Sequence, residues 1–228
     1  MQNVVIQLLS IIASCGIATG LYLKIDMLNK GGPVMVPIIL CSIFALAIIM
    51  ERITNLYRSK IDTTRFMDEI TAALKRNRIP DALEICEHTQ GPIAHILKAG
   101  ISRHDRSRQE IREAIEDAGV HEVPKLEKNL SALATIAHVS PLLGLLGTVT
   151  GMVNTFQIIQ QRTQSMYPVD PSVLAKGIWE ALITTVAGLI VAIPSFVAYN
   201  YLVAKAENLV VEMEIIATDL VNILTQRR

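Results

Sequence analysis

Apolar and polar positions along the chain fall into long blocks rather than short alternations. A helix that crosses a bilayer needs about 20 mostly apolar residues, and three blocks approach or exceed that length. The first, VMVPIILCSIFALAIIM, runs from Val34 to Met50 behind the breaker Gly31-Gly32-Pro33 and ends at Glu51-Arg52, with Arg58 and Lys60 close behind. The second is uncharged from Asn129 to Gln161 and contains SALATIAHVSPLLGLLGTVTGMVNTFQIIQQ. The third is uncharged from Ala181 to Ala204, but Asp170-Pro171 supplies an N-cap residue and a proline at the first helical position, so its helix starts there. Basic residues mark cytoplasmic ends. The first block therefore runs from outside to inside, the second returns outward across the short loop RTQSMYPVD, and the third comes back in toward Lys205 and Arg227-Arg228.

The pattern predicts an all-α membrane protein with three core transmembrane helices, over 34–52, 129–161 and 171–204. A cytoplasmic helical region over 53–128, a periplasmic loop over 162–170 and a cytoplasmic C-terminal helix over 205–228 complete it. The second and third helices are expected to extend into the cytoplasm. Residues 1–30 hold a further hydrophobic helix, VVIQLLSIIASCGIATGLYL from Val4 to Leu23, which has spanning length but carries Gln7, two serines and a threonine. It lacks the basic start and small-residue cleavage pattern of a signal peptide. A fourth span, an interfacial helix and a cleaved signal all remain open for it.

The polar block is itself helical in period. Phe66, Ile70 and Leu74 recur at helical spacing before a break at Pro80, and Ile111 and Ile115 repeat the pattern further on. Leu126, Leu130 and Leu133 run on into the second span, which predicts one long helix from the cytoplasm into the membrane. The tail ENLVVEMEIIATDLVNILTQRR continues the third span as an amphipathic helix.

Composition sharpens this picture. Of 228 residues, 51% are hydrophobic and 18% charged, and the mean hydropathy is +0.40, a shift from soluble-domain averages toward membrane proteins. Residues 51–130 hold 14 of the 21 Lys+Arg and 14 of the 21 Asp+Glu, so the charge is concentrated in the insert. Net charge is zero and no basic stripe with interleaved aromatics occurs, which excludes a nucleic-acid binder. Cys15, Cys41 and Cys86 lie far apart without metal or redox spacing, and His88, His95, His104, His121 and His138 form no HExxH-type pair, so no metal site is expected. GLLGTVTG follows no predicted strand and has no lysine partner, which leaves a nucleotide-binding loop without support.

The candidate chemistry lies in the second and third spans. Gly144, Gly147 and Gly151 recur at i, i+3 and i+7, and Gly177, Ala181, Gly188 and Ala192 mark one face of the next span, with Thr184 at the missing step. Small faces let helix backbones approach, which is what drives association in lipid. If the second span ends near Gln161 and the third starts near Pro171, residues at equal depth have numbers summing to about 332, at about 1.5 Å rise per residue. Thr148 then lies level with Thr184 and Thr185, and Glu180 about one turn further out, opposite Met152. Thr184 shares the Glu180 face, while Thr185 is turned roughly 140° away.

A charged side chain at the centre of a span costs about 2.5 to 3.5 kcal/mol, so Glu180 in KGIWEALITTVAGLIVAIPSF calls for a reason. Two plain readings stand beside a functional one. Glu180 could sit at the outer surface and pair with Lys176 at i and i+4, since 24 uncharged residues follow it. The threonines could simply bond their own i−4 carbonyls, and Pro194 could do no more than kink its helix.

SPLLGLLGTVTGM, then an outer loop and GIWEALITTVAGLIVAIPSFVAYNYL, resembles the second and third spans of the MotA/TolQ/ExbB proton-channel family, most closely its ExbB/TolQ branch. The shared features are GLLGTV, the sequence G-I-x-E-A-L, a threonine five residues after the glutamate, then G-L, A-I-P and a Tyr-Asn pair. The likeness covers about residues 34–228, including GPIAHILKAGI in the cytoplasmic region. It implies a homo-oligomeric ring, usually a pentamer, in the bacterial inner membrane around the single spans of a two-copy ExbD/TolR-like partner, with a TonB/TolA-like protein as a further associate. The coupling ion would be H⁺, with no other cofactor. The family's polar residues carry over to Thr148, Glu180 and Thr185. Thr184 stands where many relatives have alanine, and His138-Val139-Ser140 departs from the Ala-rich approach usual before Pro141.

The resemblance implies a force generator that uses the proton motive force for envelope work such as TonB-dependent uptake or Tol-Pal function, rather than an enzyme. A flagellar or gliding stator is the alternative within the family, although the short insert argues against the MotA form. A non-conducting membrane scaffold is the alternative of another class.

Overall fold

A computed structural model describes residues 32–59, 61–164 and 171–226. The hydrophobic stretch at 4–23 and residues 165–170 of the expected outer loop lie outside the described residues. All described secondary structure is helical. In chain order the helices are α1 (Met35–Ser59), α2 (Thr63–Lys75), α3 (Ile79–His88), α4 (Pro92–Ile101), α5 (Arg108–Glu127), α6 (Leu130–Gln164) and α7 (Pro171–Gln226). Three helical stretches, Met35–Tyr57, Arg108–Arg162 and Leu174–Gln226, are long and apolar enough to cross a membrane. This is the all-α membrane architecture that the apolar blocks predict.

The chain divides into two compact units. The first contains the start of α1 through Leu46 with 134–196 of α6 and α7. Met35 and Ile38 of α1 are buried with Ala187 of α7, and Leu143, Val191, Val34 and Ile39 pack around them. Val36, Leu40, Ile43 and Phe44 on α1, Leu142, Leu145 and Val149 on α6, and Leu182, Ile190 and Ile193 on α7 are exposed. In a soluble domain so much exposed apolar surface would be a liability. In a bilayer it is the expected exterior.

The second unit comprises 47–133 with 197–226. Its core is supplied by Phe66, Ile70 and Leu74, by Cys86, by Ile93, Ile96, Leu97 and Ile101, and by Ile111 and Ile115. Leu202, Ala206, Leu209, Met213, Ile216 and Leu220 of α7 are buried at alternating spacings of four and three, the stripe of an amphipathic helix. Where α4, α5 and α7 converge, Gly100 leaves room for Ile115 and Leu220, whose carbons would lie 2.8 and 3.0 Å from a Cβ there.

Two boundaries differ from the sequence expectation. The first helical pair of the insert breaks at Asn77, which adopts a positive φ of 59°, and Pro80 falls inside the first turn of α3, where its missing N–H costs nothing. The long helix expected to enter the second span is interrupted at Lys128-Asn129, where Lys128 is extended and Asn129 has φ 63°. Asparagine tolerates the left-handed region better than most residues. The amide of Asn129 also donates to Glu51 at 2.9 Å, and Glu51 accepts from Arg52 at 2.8 Å.

Candidate proton-pathway site

The seam between α6 and α7 is built from its small residues. A Cβ added at Gly144 would meet the backbone of Thr184 and Thr185 at 2.9 to 3.0 Å, and one at Gly151 would meet Ala181 at 3.0 Å. A Cβ at Gly147 would collide with the side chain of Thr184, one at Gly177 with Thr155, and one at Gly188 with the Ser140 carbonyl at 2.5 Å. Six of the seven small residues picked out by the sequence pattern, all but Ala192, thus meet across one seam. The pairs 144 with 184 and 185, 151 with 181, and 177 with 155 also follow the depth rule, their numbers summing to about 332 for antiparallel helices of equal rise.

The threonines divide into two roles. Thr184 is 2% exposed, and its hydroxyl donates to Ala181 O at 2.7 Å and reaches Gly144 O at 3.3 Å. Thr185 is half-buried and donates across the seam to the same Gly144 O at 3.0 Å. The Gly144 carbonyl therefore accepts from Thr185 across the seam, while the single hydrogen of Thr184 goes chiefly to Ala181 O and is only shared with Gly144 O. Thr148, also half-buried, donates to Leu145 O on its own helix at 2.6 Å.

Glu180 lies elsewhere around α7. Its Oε1 stands 2.9 Å from where a Cβ of Gly32 would be, and Gly32 has φ 65°. Glycine suits that position twice over, since it adopts the left-handed region freely and leaves room for the carboxylate. Ala187, which packs on α1, follows Glu180 by seven residues, about two turns, so Glu180 belongs to the α1 side of the seam. Thr185 is turned about 140° from Glu180. On α6, Thr148 is turned about 140° from Leu143, the residue that packs on the α1 side. The structure therefore brings Thr184, Thr185 and Gly144 together, keeps Thr148 level with them on the open flank, and sets the carboxyl on the opposite flank under the start of α1.

Several polar residues of the seam escaped the sequence reading. Ser140, Thr155 and Ser195 are 0%, 3% and 2% exposed, and each donates to its own i−4 carbonyl, Ile136, Gly151 and Val191, at 2.7 to 2.8 Å. Their positions extend the glycine stripe. Ser140 precedes Gly144 by four, Thr155 follows Gly151 by four, and Ser195 follows Gly188 by seven. Among the described residues no group of three or more His, Cys, Asp or Glu side chains is arranged to hold a metal ion.

Comparison with known proteins agrees with this architecture. The model of the MotA/TolQ/ExbB proton channel family matches residues 88–215. An ExbB homolog of Methanothermobacter thermautotrophicus is 28% identical over 84% of this chain and 67% of its own length. An ExbB-like biopolymer transport protein of Synechocystis is 34% identical over 79% of this chain and 70% of its own length. The Tol-Pal system protein TolQ of Pseudomonas aeruginosa is 36% identical over 52% of this chain and 54% of its own length. The family is one of proton channels rather than of catalysts, and with three apolar helices the chain is a multi-pass protein of the inner membrane. A match over more than half its length, joined to apolar helices long enough to cross a membrane, makes this chain a member of the MotA/TolQ/ExbB proton channel family.

Proposed function

We propose that this chain is the ring-forming proton-channel subunit of an ExbB/TolQ-like motor, which spends the proton motive force on cell-envelope work such as TonB-dependent uptake or Tol-Pal function. The observation that carries the reading is the open flank of the α6/α7 seam. Thr148 and Thr185 stand there at one depth, half-buried in a single chain, where a ring of copies would turn them toward a shared interior. Hydroxyls donate and accept, so both suit a proton path or its water. Thr184 is committed to the seam and serves to hold Thr185 in place. Glu180, on the α1 flank near the outer end, is the carboxyl that takes up or balances charge.

In this reading the ring is a pentamer around two copies of a single-span ExbD/TolR-like partner, with a TonB/TolA-like protein as the driven component. The C-terminus is cytoplasmic, in keeping with the basic ends at Arg52, Lys205 and Arg227-Arg228. Each proton moved yields about 2.3 kcal/mol per 100 mV of membrane potential. The test is proton flux into proteoliposomes holding the chain co-purified with such a partner. Glu180→Gln and Thr148→Ala should each abolish most of the flux while the ring still assembles. Unchanged flux at normal assembly would sink the residue assignments.

A further inference from the structure

We propose that His138 is a further proton-carrying residue of this chain, standing on the threonine flank of the seam and relaying protons through its Nε2 atom. The inference rests on the proton-channel reading above. It starts from an oddity of sequence: an ionisable side chain in the uncharged run of a spanning helix, at a place where the family's pattern has small residues. Ionisable residues within spans are costly and face a bundle interior or water. His138 is exposed on the single chain, so in the membrane it needs a wet or protein-lined surrounding.

Its position on the flank follows from Phe196. The two rings meet edge-to-face, with centroids 6.1 Å apart and planes at 90°. Phe196 follows Thr185 by eleven residues, about three turns, so both lie on one stripe of α7. His138 is thereby beside the Thr185 stripe. On α6 it precedes Thr148 by ten residues, about 15 Å along the axis toward the N-terminal start of the helix. Thr148, Thr185 and His138 thus occupy one flank at two depths, away from Glu180.

The ring's own bonding determines which atom acts. Nδ1 lies 2.7 Å from Ala134 O. A carbonyl only accepts, so Nδ1 carries the hydrogen and Nε2 has the free lone pair. The Phe196 contact holds the ring plane from the other side. A proton arriving at Nε2 makes the imidazolium, and its departure from the same atom restores the neutral ring, while the Nδ1 bond to Ala134 is kept throughout. An imidazole can take up and release a proton in this way, where a threonine hydroxyl cannot. Among the described residues, the groups in contact with the His138 ring are the Ala134 carbonyl from its own helix and the Phe196 ring from α7, neither of which titrates.

The experiment is proton flux as a function of pH in proteoliposomes of the chain with its single-span partner, for wild type, His138→Gln and Thr148→Ala. Wild-type flux should show an inflection with pH. His138→Gln should reduce flux about tenfold or more and remove that inflection. Flux that keeps the inflection in His138→Gln, whether at full or reduced rate, overturns the proposal, and Thr148→Ala then decides whether the channel reading survives it. If His138→Gln rings do not assemble, nitrogen NMR of histidine-labelled wild-type protein is decisive. The proposal requires an Nδ1–H tautomer that gains its proton at Nε2 as pH falls, and an Nε2–H tautomer or a ring that does not titrate overturns it.

Discussion

At the residue scale, the described glycines include positions where a methyl group is excluded and one where it is welcome. Gly188 faces the Ser140 carbonyl, and a Cβ there would stand 2.5 Å from it, against backbone that cannot swing aside. Gly188→Ala should destabilise the protein by about 1–3 kcal/mol, the usual range for overpacking, read as a lower midpoint of unfolding in detergent. Gly119 in α5 has nothing within 4 Å of an added Cβ, so Gly119→Ala should stabilise by about 0.5–1 kcal/mol through helix entropy. The seam glycines were legible from their spacing alone. Gly32 was not, because its partner Glu180 lies 148 positions away and no periodicity links a loop residue to a helix.

At the element scale, the helices of the second unit are set by local chemistry at their ends. The Ser107 hydroxyl accepts from the Glu110 N–H at 3.3 Å while the Glu110 carboxylate accepts from Ser107, a complete capping box. Ser107→Ala should cost about 1 kcal/mol, measurable as a shift in the same unfolding midpoint. The box is written in the sequence as S-x-x-E, yet it is easily passed over when the eye follows hydrophobic period. The interruption at Asn129 was hidden for the opposite reason. Leu126, Leu130 and Leu133 keep helical spacing across it, and all three are buried, so the apolar pattern runs straight through a backbone that does not.

At the scale of the whole molecule, the spans and their order were readable because a bilayer demands long apolar runs. The side of each span was not. Which flank α1 covers depends on packing, and that packing puts Glu180 on the α1 side and Thr148 on the other, where depth arithmetic alone sets the carboxyl one turn outside Thr148. The charged insert adds a pH dependence. Hydrogen bonds from Ser107 hold the Glu110 carboxyl below its ordinary 4.5, and the Lys98 ammonium does the same for Glu87. Burial pushes Glu122 up, but bonds from Lys125 at 2.7 Å and His95 at 3.0 Å outweigh it, and the net shift is downward. A carboxyl lowered in the folded state stabilises above its unfolded value and loses that contribution as pH falls through the folded value. The unfolding midpoint should therefore hold from pH 7 to about 5 and decline below about 4.5. Glu122→Gln should make the decline shallower in the same titration.

The buried hydroxyls of the seam bear on how the protein is made. Ser140, Thr155 and Ser195 each satisfy themselves on the carbonyl one turn back, and Thr184 does so on Ala181. No partner helix is needed to quench them, so α6 and α7 can leave the translocon one at a time and wait in lipid as independent spans. Their later meeting is then a matter of glycine against backbone, a reversible step that follows insertion and is open to correction.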